Sequence, residues 1–203
     1  MDIAVNLVES YLRACGYLTL TELELAVLDA QGEWRSATDI DVVGIRLPGP
    51  DNEFEGIGAR FLAVEDPVLA LTPDLVDVII GEVKQGHALF NPALTRPEVL
   101  RAMLGRLRWL YGVPLDQVIE QLRSGQVSLV PGPKGSTIRT RLVVFGQSGS
   151  AGLHSIPMSH VIARLIEFMG LYEKMLRPLQ LKEPGVATLR LLAKSGFVVQ
   201  KKS

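Results

Sequence analysis

The fold class predicted by the sequence is an α/β sandwich built on a mixed β-sheet, and three observations carry it. Runs dense in Val, Ile, Leu and Thr alternate with segments whose apolar residues recur every three to four positions. The first two strand-like runs follow one another across a short polar stretch and so pair as a hairpin. Later strands are separated by helical segments long enough for a crossover, and that order excludes a simple doubly wound sheet. A chain of 203 residues buries one substantial core. It reads as a single domain over 1–203, with its core at 2–146 and a C-terminal helical extension at 153–203.

The elements follow in chain order. Ala4, Leu7, Val8, Tyr11, Leu12 and Cys15 share a helical stripe, and Gly16 stands where that helix would stop. Tyr17 to Leu28 and Thr38 to Leu47 read as paired strands around a turn at 29–33. Pro48 to Pro73 is broken by four prolines and three glycines, too many for a long element, and reads as an insertion in which Ala59 to Val64 forms at most a short one. Leu75 to Gln85 is the most strand-like run, and its β-branched density predicts burial on both faces. Val99 to Leu110 and Leu115 to Leu122 are helical, and Thr137 to Phe145 returns to strand. After a Gly/Ser-rich stretch at 146–152, one helix is expected from Met158 to about Leu176 and another from Val186 to Ser195. The stripe Val161, Ile162, Leu165, Ile166, Met169 and Leu176 reads as core or as the seam of a homodimer.

Composition removes several function classes. With 47% hydrophobic residues the chain is not disordered. Lys plus Arg number 21 against 22 acids, so no global field attracts nucleic acid and any such binding needs a local patch. The single cysteine, Cys15, excludes an internal disulfide and a Cys-based zinc site, and the three histidines show no metal-ligand spacing. No apolar run reaches the roughly 18 residues of a spanning helix, and Asp2 and Glu9 stand where a signal peptide is basic and then apolar. The expectation is a cytoplasmic protein with no membrane partner.

The chemistry-bearing residues lie on two strands. Side chains two apart in a strand share a face, so Glu82 and Lys84 stand together, opposite Val83. Asp41, between Ile40 and Val42, places a carboxylate among residues that otherwise belong in a core. Such a group must be paired, protonated or bound to a cation. Asp41 and Glu82 together supply the one or two carboxylates that Mg²⁺ takes in phosphoryl chemistry.

Thr38-Asp39-Ile40-Asp41-Val42-Val43, followed by Val78-Ile79-Ile80-Gly81-Glu82-Val83-Lys84-Gln85, resembles the PD-(D/E)XK nuclease superfamily, most closely its Holliday-junction-resolvase-like and Mrr-like members. Ile40 stands where the family name has proline. The resemblance implies a restriction-endonuclease-like three-layer sandwich with an αβββαβ core, covering about residues 2–146, plus C-terminal helices. It implies Mg²⁺ (or Mn²⁺) held by Asp41 and Glu82, with Lys84 orienting water or stabilising the transition state. DNA is the implied substrate, and RNA would share the chemistry. It also places a first-helix acid on Glu9.

Each of these residues has a plainer reading. Glu9 can pair with Arg13 four residues on. Gln85 is an accessory candidate that a regular strand turns to the other face, and Asp39 can serve as an accessory or face solvent. Arg96, Arg101, Arg106 and Arg108 with Trp109 and Tyr111, and Lys134, Arg139 and Arg141 further on, can grip phosphates or cover apolar surface. A chain that keeps the fold without catalysis, as a nucleic-acid-binding or assembly module, is the rival to the nuclease.

Overall fold

The computed structural model describes residues 2–48, 65–147, 152–176 and 183–198, apart from the side chains of Lys134 and Met175. Helix α1 (Ile3–Ala14) begins where the Asp2 carboxylate accepts the Ala4 amide at 2.7 Å, which satisfies one orphan donor of its first turn. It ends before Gly16, whose φ of +86° glycine adopts without cost. β1 (Leu18–Leu28) and β2 (Trp34–Arg46) form the expected hairpin. Its turn is held by the Asp29 carboxylate, which accepts the amides of Gln31 and Glu33 at 2.9 Å each.

β3 (Leu75–Val83) is the buried strand that its composition predicts. Then come α2 (Pro97–Gly105), α3 (Leu115–Arg123), β4 (Ser128–Pro131), β5 (Thr137–Gly146) and β6 (Ser155–Pro157). The chain continues with α4 (Met158–Leu171), the single turn α5 (Glu173–Leu176) and α6 (Pro184–Lys194). The sheet runs β1-β2-β3-β5-β4, with β6 beside β5. β1, β2 and β3 form an antiparallel meander, and β5 lies parallel to β3, as its helical crossover requires.

Three expectations need correction. β4 and β6 do not appear in the sequence reading, because strands of three and four residues are too short to show a period. β2 starts at Trp34 rather than Thr38. The single helix expected over 158–176 breaks at Tyr172, where the backbone leaves helical geometry at φ −110°, ψ 20°. The segment Ala59 to Val64 lies outside the described residues.

Alternation along β3 sends its side chains into two cores. Val76, Val78 and Ile80 pack with Val99, Leu100, Met103 and Leu104 of α2 and Val118 and Ile119 of α3. Ile79 packs on the other side with Val8, Tyr11 and Leu12 of α1 and Val161 and Leu165 of α4. Helices therefore cover both faces of a mixed sheet, the α/β class that was expected. Of the α4 stripe, Val161 and Leu165 are buried in this core and Met169 packs against it, while Ile162 and Ile166 are half-buried. Among the described residues, no helix is long and apolar enough to cross a membrane.

One irregularity bears on the site. Ile40 belongs to the α2/α3 core and Val42 to the α1 core, although residues two apart in a regular strand share a face. Val43 returns to the α2/α3 core, so the alternation slips by one residue between Ile40 and Val43. On β1 the paired positions pass from Thr21–Val42 to Leu23–Ile40, over Glu22 and Asp41, and Glu22 takes a left-handed φ of +51°. Asp41 sits where the alternation reverses, while the register shift of this hairpin lies further along, between Leu25 and Ala26.

Candidate active site

The β2–β3 ladder ends at the pair Val42–Gly81, and one step further the antiparallel register sets Asp41 beside Glu82. The strands come this close because Gly81 has no side chain. A Cβ there would lie 2.6 Å from Val42 Cγ1 and 3.0 Å from Phe145 Cε2. Beyond the ladder, the Val83 amide finds its acceptor in the Asp41 carboxylate, donating to Oδ2 at 2.6 Å. The Lys84 amide instead donates to the Phe145 carbonyl at 2.7 Å, so β3 leaves β2 while staying with β5. Lys84 Nζ is paired with Glu82 Oε1.

The electrostatics mark both acids. Burial raises the Glu82 carboxyl above its ordinary range, the Asp41 and Asp39 charges raise it further, and the Lys84 contact opposes without cancelling. Burial likewise raises Asp41, with Asp39 and Asp2 adding repulsion, against the Val83 amide and the Lys84 charge. The hydrogen bond to Glu82 holds the Lys84 ammonium above its usual pKa, keeping it charged. Glu82 is 4% exposed, while the Lys84 side chain is 40% exposed, so this is a buried acid reached by a cation at the rim.

Asp41, Glu82 and Lys84 are thus brought together, with Asp39 close enough for its charge to act on all three. Gln85 is turned to the other face, where its Nε2 donates to Asp2 Oδ2 at 3.0 Å and Oδ1 at 3.2 Å. Glu9 is not brought to them. It sits on α1, over the sheet face opposite Glu82 and Lys84, and accepts from Arg13 Nη2 at 2.7 Å and Thr19 Oγ1 at 3.2 Å. The acid of the first helix whose charge reaches Asp41 is its capping residue, Asp2. An acid immediately before the first apolar-periodic residue is the signal that marks it.

The arginines expected to grip phosphate divide differently. Arg139 and Arg141 are buried around one carboxylate. Asp77 accepts from Arg139 Nε at 2.6 Å, Arg141 Nη2 at 2.9 Å and the Tyr17 hydroxyl at 2.5 Å. Arg139 also donates to the carbonyls of Leu69 and Ala70, and Arg141 to that of Leu153. Arg101 pairs with Asp116, Arg108 donates to the Tyr111 carbonyl at 2.6 Å, and Tyr111 is itself buried. The Lys134 side chain lies outside the described residues. Arg96 and Arg106 are exposed, as are Arg101 and Arg108, and Trp109 stands out of the surface beside them at 68% exposure.

A second buried acid, Asp66, ties three parts of the chain together. It accepts from Tyr11 of α1 at 2.8 Å and from the Val68 amide at 3.1 Å, and it pairs with His160 of α4 at 2.6 Å. Burial pushes its carboxyl up, but the His160 and Tyr11 hydrogen bonds outweigh that and lower its pKa.

Among the described residues, no group of three or more His, Cys, Asp or Glu is arranged to hold a metal. The two-carboxylate set nevertheless suits a hard divalent cation that keeps most of its waters. The structural contacts use Asp41 Oδ2 and Glu82 Oε1, which leaves Asp41 Oδ1 and Glu82 Oε2 as donors. Two carboxylates held side by side in partial burial, each with a raised pKa, also form a pair that a cation would relieve. Comparison with protein-family models, with curated proteins and with solved structures finds nothing that matches this chain.

Proposed function

We propose that the chain is a Mg²⁺-dependent nuclease, with Mn²⁺ able to replace Mg²⁺, that hydrolyses phosphodiester bonds in DNA at Asp41, Glu82 and Lys84. The observation that carries this reading is the meeting of two chain-distant acids and a lysine at the point where β2 and β3 part. The element order supports it further. A helix, a three-strand antiparallel meander, helices and a strand parallel to the third are what a restriction-endonuclease-like three-layer core of the PD-(D/E)XK type would need.

In this reading Asp41 and Glu82 hold the cation through their free oxygens. A cation held there would supply charge stabilisation at phosphorus and a lowered pKa for the attacking water. Lys84 stays protonated beside Glu82, and from the exposed rim its Nζ can turn toward a phosphate oxygen or orient that water. Glu9 has no part in it, and Gln85 acts only by holding Asp2.

The test is cleavage of linear, branched and single-stranded DNA with Mg²⁺ or Mn²⁺. Glu82→Gln and Asp41→Asn are expected to abolish turnover, and Lys84→Met to lower it about a hundredfold to a thousandfold. An inert wild-type protein on all three substrates defeats the proposal. The non-catalytic reading is favoured by one observation: Lys84 and the Val83 amide already partner both acids without a metal. A protein of that kind would bind DNA or a protein partner with no response to divalent ions.

A further inference from the structure

On the sheet face that carries Glu82 lies an open cavity of about 210 Å³. Phe90, Leu122 and Leu142 form its apolar wall, and Arg123, Gln126 and His154 line it with polar groups. Its position relative to the acids follows from the strand register. Ile80 pairs with Leu142 and Glu82 with Val144, so Leu142 is a diagonal neighbour of Glu82 across the β3–β5 pair. Both side chains point to the α2/α3 side, as Ile80 and Leu142 both do in that core.

The polar groups are fixed from within the fold. His154 Nδ1 contacts the Leu142 carbonyl at 3.1 Å, which holds the ring and leaves Nε2 for a ligand. The His154 carbonyl in turn accepts the Val144 amide at 3.0 Å, so the segment that carries the histidine is anchored to the strand beside the acids. Arg123 and Gln126 are exposed at the end of α3, with Arg123 held only loosely by Glu120 at 3.3 Å. An aromatic and aliphatic wall with hydrogen-bonding groups around it fits a flat heteroaromatic ring with a polar edge, and the volume admits one such ring rather than a stacked pair.

We infer that this cavity takes one unpaired nucleobase beside the phosphodiester at Asp41 and Glu82, which makes single-stranded or flapped DNA the substrate in preference to continuous duplex. The inference rests on the nuclease reading above. A base in a continuous duplex must leave its stack to enter such a cavity, at a cost that an already unpaired base does not meet. The apolar wall then replaces the lost stacking, with Phe90 offering its ring, and the polar groups meet the edge of the base.

Binding is measured on the full chain with Ca²⁺ in place of Mg²⁺, so that no turnover is needed. The probe is 2-aminopurine placed in a single strand, in a one-base bulge or in continuous duplex. The expected result is a fluorescence change on binding for the first two only, with affinity for them reduced about tenfold by Phe90→Ala. Gln126→Trp, at the exposed rim, fills the cavity without touching the core and should remove the signal in the same way. Equal affinity for duplex and single strand, or a 2-aminopurine signal unmoved by both variants, overturns the inference. Mg²⁺-dependent cleavage of duplex alongside that result would leave the nuclease reading standing. A 2-aminopurine response as expected in a protein that never cleaves would retain the cavity as a nucleobase site and end the nuclease reading.

Discussion

The Asp41 carboxylate accepts the Val83 amide, yet burial and the charges of Asp39 and Asp2 keep its pKa above the ordinary 3.8. A raised carboxyl favours the fold in its protonated form. The stability it contributes is therefore present below pH 3.8 and is lost as pH rises through its folded pKa. Asp41→Asn keeps an oxygen for the Val83 amide and removes the charge. It is expected to unfold at higher urea than wild type at pH 7 without metal, and the gain should vanish near pH 3. Asp77 behaves in the opposite sense. Burial pushes its carboxyl up, but the Arg139 hydrogen bond and the Arg141 charge outweigh that and lower its pKa. Its contribution is present above pH 3.8 and is lost as pH falls through the folded pKa. Asp77→Ala would leave two buried guanidinium groups without their anion. An expected loss of about 3–5 kcal/mol, read from urea denaturation at pH 7, separates this structural cluster from a surface phosphate grip.

At the scale of elements, the central strand β3 was legible because β-branched residues crowd it, and α1 because its stripe and stop signal agree. What the period could not show is the reversal of facing at Glu22 and Asp41, where the β1–β2 register itself runs on unbroken. A strict two-residue alternation puts Ile40 and Val42 in one core, whereas the folded hairpin divides them between two. Gly81 belongs to this scale too, since its missing side chain sets the approach of β2 to β3. Gly81→Ala is expected to destabilise by about 1–3 kcal/mol, the usual cost of overpacking. Because the added methyl meets Val42 first, Val42→Ala should recover part of that loss. Additive losses in the double variant would show that the two strands can shift apart freely.

Across the whole molecule, folding joins residues that are neighbours in no sequence window. Asp66 binds α1, α4 and the start of the segment leading into β3, and Asp77 binds β1's preceding residue Tyr17 to β5. The candidate site depends on the same closure, so metal binding should report on the global fold. A Mg²⁺ concentration of 100 times Kd stabilises the folded state by about 2.7 kcal/mol. For a chain of this size that corresponds to a rise of about 5–10 °C in Tm. Calorimetry of wild type and of the Asp41→Asn, Glu82→Gln double variant is the measurement. A rise in the wild type that is absent from the double variant is expected, and an equal response in both would place the cation elsewhere.

The sequence by itself determined the order of α1, β1, β2, β3, α2, α3 and β5, the hairpin followed by a crossover, and the shared face of Glu82 and Lys84. Each of these follows from local periodicity, turn chemistry or the two-residue repeat of a strand. Only the tertiary structure decided that Asp41 stands beside Glu82, that Asp2 rather than Glu9 is the first-helix acid whose charge reaches Asp41, and that Arg139 and Arg141 turn inward to Asp77. These are matters of register and of burial between distant segments. They depend on which strand lies next to which, and no spacing along the chain encodes that directly.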